Sequence, residues 1–302
     1  MVLRPALIAA CLATPALAEG PHLAADTPVV HSLAAQVLGD LGTTDLLLDH
    51  GADPHHAQLR PSQARALAEA DLVLWSGAGL TPWLETPLQT LAGDRVLGLD
   101  QVAGLYRQPF QSDTLTALSD EHAAHDDHGP TDPHLWLDPQ NAIVWLHAIA
   151  DRLAALDPAH ASTYQQNASA AAARIAALHD EVAATLAPAH ATGLVVFHDA
   201  YGYFAHAFDL RIVATITLGD ASPPGAARIA QLRAALSQAG PACLFPESNH
   251  PSRIIPVIAE GTQLRIGAAL DPAGTLIDPG PGLYAETLRG LARAIADCAA
   301  AS

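Results

Sequence analysis

Residues 159–186 contain neither proline nor glycine, are dense in alanine, and repeat apolar side chains such as Ile175, Leu178 and Val182 at three- and four-residue steps. Nothing in such a stretch breaks the backbone hydrogen-bond ladder, so it predicts one continuous helix of about seven or eight turns. That helix divides the chain. Ahead of it, short apolar runs alternate with helical periodicity: a strand opening at Thr27-Pro28-Val29-Val30, a helix over 32–41, a strand over 44–49, a helix that starts at Pro61 and runs to Ala70, and a strand over 72–75. Behind it the same rhythm returns, with strands over 193–197, 212–216, 242–245 and 264–266 and helices over 200–208, 226–238 and 254–260.

Strand, helix, strand units with right-handed crossovers build parallel sheets covered by helices on both faces. The predicted fold class is therefore α/β, with two Rossmann-like (β/α) domains of mostly parallel strands joined by a long rigid spine helix. The expected division is an amino-terminal lobe over 19–150, a linking helix over 151–190 and a carboxy-terminal lobe over 191–302. Two sheets on a stiff helix leave a cleft between them, with ligands gathering beyond the carboxyl ends of the strands, and predict only a small closure on binding.

Composition narrows the partners. The 302 residues are half apolar, enough for two ordinary cores. The formal net charge is −17, and all 14 basic residues are arginine. An acidic envelope of this size argues against nucleic acid or anionic lipid as a partner, because both need a basic surface that releases counterions. The absence of lysine removes Walker-type nucleotide sites, Schiff-base chemistry and lysine general bases. The excess that demands an explanation is the 16 histidines.

The amino terminus predicts export. Arg4 precedes an apolar stretch, and Ala16-Leu17-Ala18 before Glu19 has the small-x-small form of a signal-peptidase site, so residues 1–18 are read as a signal peptide cleaved near Ala18. The rival lipobox-like reading of Ile8-Ala9-Ala10-Cys11 would cut the apolar region short. No later stretch approaches the roughly 20 apolar residues of a membrane span, so direct membrane insertion is not expected. Cys243 and Cys298 then remain, and an even pair in an exported chain, without CxxC or finger spacing, predicts a structural disulfide tying the last helix to the second sheet.

Four islands place metal-ligating side chains in turn-like settings: GADPHHAQLRPS (51–62), DPHLWLDP (132–139), VVFHDAYGYF (195–204) and GAALDPAG (267–274). His55 follows an Asp-Pro turn, and its neighbour His56 is an alternative ligand there. His134 sits between two Asp-Pro turns beside an aromatic residue, where an imidazole is either a ligand or simply buried. His198 ends a fully apolar strand, a place where a polar side chain must be paired or useful. Asp199 beside it either orients that imidazole or caps the next helix. Asp271 lies in an Asp-Pro turn, a weak signal alone. Three imidazoles and a carboxylate form a first shell of the kind zinc prefers. Glu247 and His250, in PESNHPS, are further candidates near the cleft. His122, His125 and His128 recur at three-residue steps among Glu121, Asp126 and Asp127, a composition that gathers metal weakly or is merely solvated.

Taken in order, GADPHHAQLRPS, ADLVLWSGAGLTPWLE (70–85), HLWLDP, VVFHDAYGYFAHAFDL and LDPAGT resemble the zinc-specific solute-binding proteins of bacterial ABC importers, the cluster A-I metal receptors, across essentially the whole mature chain. The resemblance implies a periplasmic, monomeric receptor that binds Zn²⁺ through His55, His134, His198 and Asp271 and delivers it to a permease and its ATPase. It also implies that the histidine-rich stretch, 120–131, is a short secondary zinc-gathering loop. Manganese receptors of that fold carry Glu where this chain has His198, and an imidazole there favours zinc. The competing class is a zinc hydrolase with an open coordination position. HExxH and GxSxG are both missing, and Glu247 is the sole plausible general base.

Overall fold

The computed structural model describes residues 20–110, 131–217, 224–238, 240–250 and 252–301. The predicted signal segment and His122, His125 and His128 lie outside the described residues.

The first lobe runs β1 (His22–Ala25), α1 (Pro28–Leu38), β2 (Thr43–Leu46), α2 (Pro61–Glu69), β3 (Leu72–Trp75), α3 (Glu85–Leu91) and β4 (Val96–Gly98). Two long helices follow, α4 (Pro139–Leu156) and α5 (Ala161–Leu186). The second lobe runs β5 (Gly193–Val196), α6 (Gly202–Ala207), β6 (Arg211–Thr215), α7 (Ala226–Gln238), β7 (Ala242–Leu244), α8 (Ile254–Ala259) and β8 (Leu264–Ile266), and α9 (Leu283–Ala300) closes the chain. The sheets have orders β2-β1-β3-β4 and β6-β5-β7-β8, and every strand pair is parallel. The two lobes therefore share one strand order, as two Rossmann-like units.

The predicted spine is α5. It buries Tyr164, Ala168, Ala171, Ile175, Leu178, Val182 and Leu186, a single stripe at three- and four-residue steps. Its 26 residues span about 39 Å at 1.5 Å per residue. That stripe belongs to one continuous core that takes in α1, α4 and α9 and side chains of both sheets, among them Leu23, Leu74, Leu194 and Cys243. The region predicted as one linking helix, 151–190, holds the end of α4, a tight turn at Pro158–His160 and then α5. Asp157 precedes Pro158 and leaves the helical region at φ −128°, ψ 79°, because proline disfavours helix in the residue before it.

The first predicted strand is corrected. Thr27-Pro28-Val29-Val30 does not begin a strand but opens α1: Thr27 is extended, its Oγ1 accepts from the backbone N–H of Val30, and Pro28 takes the first turn, where its missing N–H costs nothing. The strand is the preceding HLAA, whose alanines and histidine carry little β-propensity and gain their place from burial between β2 and β3. The carboxyl end of β1 holds the fully buried Asp26, which accepts from Ser76 N–H and Oγ and from Thr81 Oγ1. Burial pushes its carboxyl up to about 6 against the lowering effect of those donors.

Cys243 on β7 and Cys298 on α9 form the predicted disulfide, with a Cα–Cα distance of 6.2 Å. No helix among the described residues is long and apolar enough to cross a membrane.

Candidate metal centre

Two of the three site histidines sit on the same local device. In Asp53-Pro54-His55 and again in Asp132-Pro133-His134, the Asp Oδ1 accepts the backbone N–H of the histidine two residues on, at 2.9 Å in both. The carboxylate thereby closes a turn around the proline and fixes the backbone that carries the imidazole. Trp83 Nε1 donates to Pro54 O at 2.7 Å and pins the first turn from outside, and Trp136 Nε1 donates to Pro272 O at 2.8 Å, tying the second island to the Asp271-Pro272 loop. His198 needs no such turn, because it follows β5, whose four residues are all buried.

The imidazoles converge. His55 Nε2 and His198 Nε2 each lie 3.3 Å from His134 Nε2. Two nitrogens bound to one tetrahedral zinc at about 2.05 Å lie roughly 3.3 Å apart, so two edges of the trio already have the length found in a zinc coordination shell. The opposite ring nitrogens are anchored. His198 Nδ1 lies 2.7 Å from Glu247 Oε2, and His134 Nδ1 lies 2.8 Å from Asp132 Oδ1. Tyr201 donates its hydroxyl to Glu247 Oε1 at 3.0 Å, and the Tyr203 hydroxyl donates to Asp132 O at 3.1 Å. Carboxylates behind ligating imidazoles fix tautomer and ring orientation and raise ligand basicity.

Electrostatics fits this arrangement. Burial pushes His55 down to about 2, with the charges of His134 and His198 adding to the effect, so the imidazole is neutral at physiological pH and offers a lone pair. Burial alone would raise the Glu247 carboxyl, but the charge of His198, its hydrogen bond and His250 together hold it below the usual range. An ionised Glu247 accepts the Nδ1 proton of His198 and leaves Nε2 bare toward the centre. Burial pushes Asp132 up to about 7, outweighing the donors around it. The cavity, lined also by Trp136, Leu270, Pro272 and Ala273, holds about 20 Å³, space for one water-sized occupant.

The other predicted residues fall elsewhere. His56 turns outward, its Nδ1 2.9 Å from Asp53 Oδ2 and its side chain 67% exposed, so the first island directs His55 inward. Asp271 does not join the cluster. Its Oδ1 accepts from Thr275 N–H at 3.0 Å and its Oδ2 from Leu276 N–H at 2.9 Å, closing a turn that passes through Gly274 at φ 66°. Asp199 is buried beside His198, but the carboxylate on His198 Nδ1 is that of Glu247, from the loop after β7. Asp132 and Tyr201 were not singled out from the sequence. The repeated Asp-Pro-His tripeptide is the signal that marks Asp132, whereas nothing local marks Tyr201.

Replacing Glu247 by glutamine is expected to weaken metal binding by about 10- to 100-fold while the protein stays folded, because the amide keeps the shape but not the charge behind His198. Chelator-competed titration of Glu247→Gln checks this, and unchanged affinity would remove Glu247 from the site.

Two parallel-sheet lobes on a shared helical core, with an ion-sized imidazole cavity between them, define a receptor built around a metal ion. The model of the family described as zinc-uptake complex component A, periplasmic (ZnuA), matches residues 24–298. The high-affinity zinc uptake system protein ZnuA of Paracoccus denitrificans is 44% identical, the alignment covering 98% of this chain and 99% of that protein. ZnuA of Brucella abortus is 32% identical over 89% of each. Among solved structures, a crystal structure of ZnuA superposes with a TM-score of 0.77 at 23% identity, over 93% of this chain and 100% of that one. The Mn²⁺ complex of the Pseudomonas aeruginosa solute-binding protein FpvC gives 0.79 at 21% identity, over 94% and 99%. At these identities the structures establish the shared fold. The chain belongs to the ZnuA family, the periplasmic component of zinc-uptake complexes. The family is one of receptors, and the hydrolase reading falls away.

Proposed function

We propose that this protein captures Zn²⁺ in the periplasm, after removal of a signal peptide near Ala18, and delivers it as a monomer to the permease of an ATP-driven importer. His55, His134 and His198 supply three neutral nitrogen donors, with Glu247 and Asp132 behind them, and water completes the shell. The observation that carries the reading is the pair of 3.3 Å Nε2 separations, set by three loops far apart in sequence. Relatives named as high-affinity zinc uptake proteins support it. Borderline-soft imidazoles in a tetrahedral arrangement favour zinc over manganese, which prefers carboxylate and water oxygen. The continuous core through α5 supports capture with little lobe motion. His122, His125 and His128 complete the proposal as a secondary zinc-gathering segment.

The second reading, a manganese receptor, is favoured by the likeness of the fold to FpvC solved with Mn²⁺. Chelator-competed titration of the metal-free mature protein with Zn²⁺ and Mn²⁺ separates the two. One tight site with zinc ahead of manganese by more than about 100-fold is expected from the donor set, and manganese affinity equal to or above that for zinc would overturn the assignment.

A further inference from the structure

The cavity has a fourth imidazole. His250 follows Glu247 by three residues, and its ring lies flat on Phe197, with centroids 4.6 Å apart and an interplanar angle of 11°. The stack fixes the ring plane and leaves the edge nitrogens as its polar contacts. His250 Nε2 is 3.5 Å from Glu247 Oε2. One donor atom from each of His198, Glu247 and His250 falls within 4.8 Å of the others. Exposure is graded along this line, from 24% for the His250 side chain to 3% for Glu247.

We propose that Glu247 and His250 form a second zinc position on the solvent side of the three-histidine centre, occupied by the ion on its way in and out. The inference rests on the reading of His55, His134 and His198 as the zinc site. At 3.5 Å the His250–Glu247 contact is too long for a charge-assisted hydrogen bond, which closes to about 2.7–2.9 Å. It is close to the roughly 3.4 Å edge between a nitrogen and a carboxylate oxygen that share one tetrahedral zinc. By contrast, the 2.7 Å contact of His198 Nδ1 with the same Oε2 is a direct hydrogen bond. Glu247 is therefore shared: it backs His198 on the inner side and offers an anionic oxygen toward His250 on the outer side. Two protein ligands hold zinc more weakly than three, so the ion moves inward at equilibrium, and water fills the rest of the outer shell.

The test uses mature protein with ring-¹⁵N-labelled histidine, titrated with zinc sulfate past one equivalent while imidazole resonances are followed. His250→Phe, which keeps a ring on Phe197, and His250→Ala serve as variants and identify the His250 signals. The first equivalent is expected to shift the three inner histidines, and excess zinc to shift His250. In His250→Phe the excess-zinc event is expected to be lost, and loading from a zinc–chelator complex and release to it to slow about tenfold. If the first equivalent shifts no imidazole, the three-histidine reading itself falls. If it does, but excess zinc leaves His250 in place and both variants exchange zinc at wild-type rates, the outer position falls and the inner one stands. Weakened first-site affinity in the variants with no second event in the wild type would assign His250 to holding Glu247 and likewise overturn the proposal.

Discussion

Substituting His198 by alanine is expected to lower zinc affinity by two to three orders of magnitude. Apparent zinc binding free energies of about 10–16 kcal/mol spread over four ligands give each roughly 2.5–4 kcal/mol, and each 1.4 kcal/mol is about tenfold in affinity. His198 tests the centre from the second lobe, because its Nε2 meets His134 at 3.3 Å while its Nδ1 engages the buried Glu247. Removing the ring deletes a ligand and takes from that buried carboxylate its 2.7 Å partner, leaving the Tyr201 hydroxyl at 3.0 Å and His250 at 3.5 Å. Zinc titration against a competing chelator measures the loss. A thermal scan gives a second readout: excess zinc at about 1,000 times the dissociation constant stabilises the wild type by roughly 4 kcal/mol, and the variant should show little of that shift. A variant that binds zinc like the wild type would mean that the centre has been misassigned.

Loss of the disulfide is expected to have the largest effect on stability. Cys243 and Cys298 close a loop with a sequence separation of 55, for which the chain-entropy relation gives about 4 kcal/mol. For a domain of this size that corresponds to a melting midpoint lower by about 10 °C. The bridge ties α9, whose buried face includes Leu288, Leu291 and Ile295, to the central strand pair of the second sheet. Cys243→Ser/Cys298→Ser in metal-free protein should therefore melt early while zinc binding changes less than in His198→Ala, because the three ligand loops remain. Calorimetry of oxidised and reduced wild type and of the double variant checks this, and equal midpoints would show that the bridge adds nothing to the packed core.

The spine helix, the alternating rhythm of both lobes and the ligand islands were legible because each rests on local chemistry. The apolar stripe of α5 is read at three- and four-residue steps without knowing what it packs against, and α7 and β8 fall on their predicted spans. The first strand was misread for a reason equally local: valines after proline look like a strand until the threonine cap is taken into account, and HLAA looks like nothing until two neighbours flank it. Asp271 and Glu247 show the limit more sharply. Both are acidic residues near turns, yet one uses its carboxylate on Thr275 and Leu276 within its own loop while the other reaches a histidine 49 residues away.

By itself the sequence determined which side chains could serve a metal, that three of them are histidines at the ends of strands or turns, and that the chain folds as two α/β halves on one helix. Residue type and periodicity are enough for that, since they follow from propensity, patterning and donor chemistry. Only the tertiary structure decided that His55 and not His56 points inward, that Glu247 and Asp132 stand behind the rings, and that His250 lies beyond them toward solvent. Those outcomes depend on separations of about 3 Å between atoms from different loops, which are fixed by how the two lobes pack on their shared core and by no segment alone.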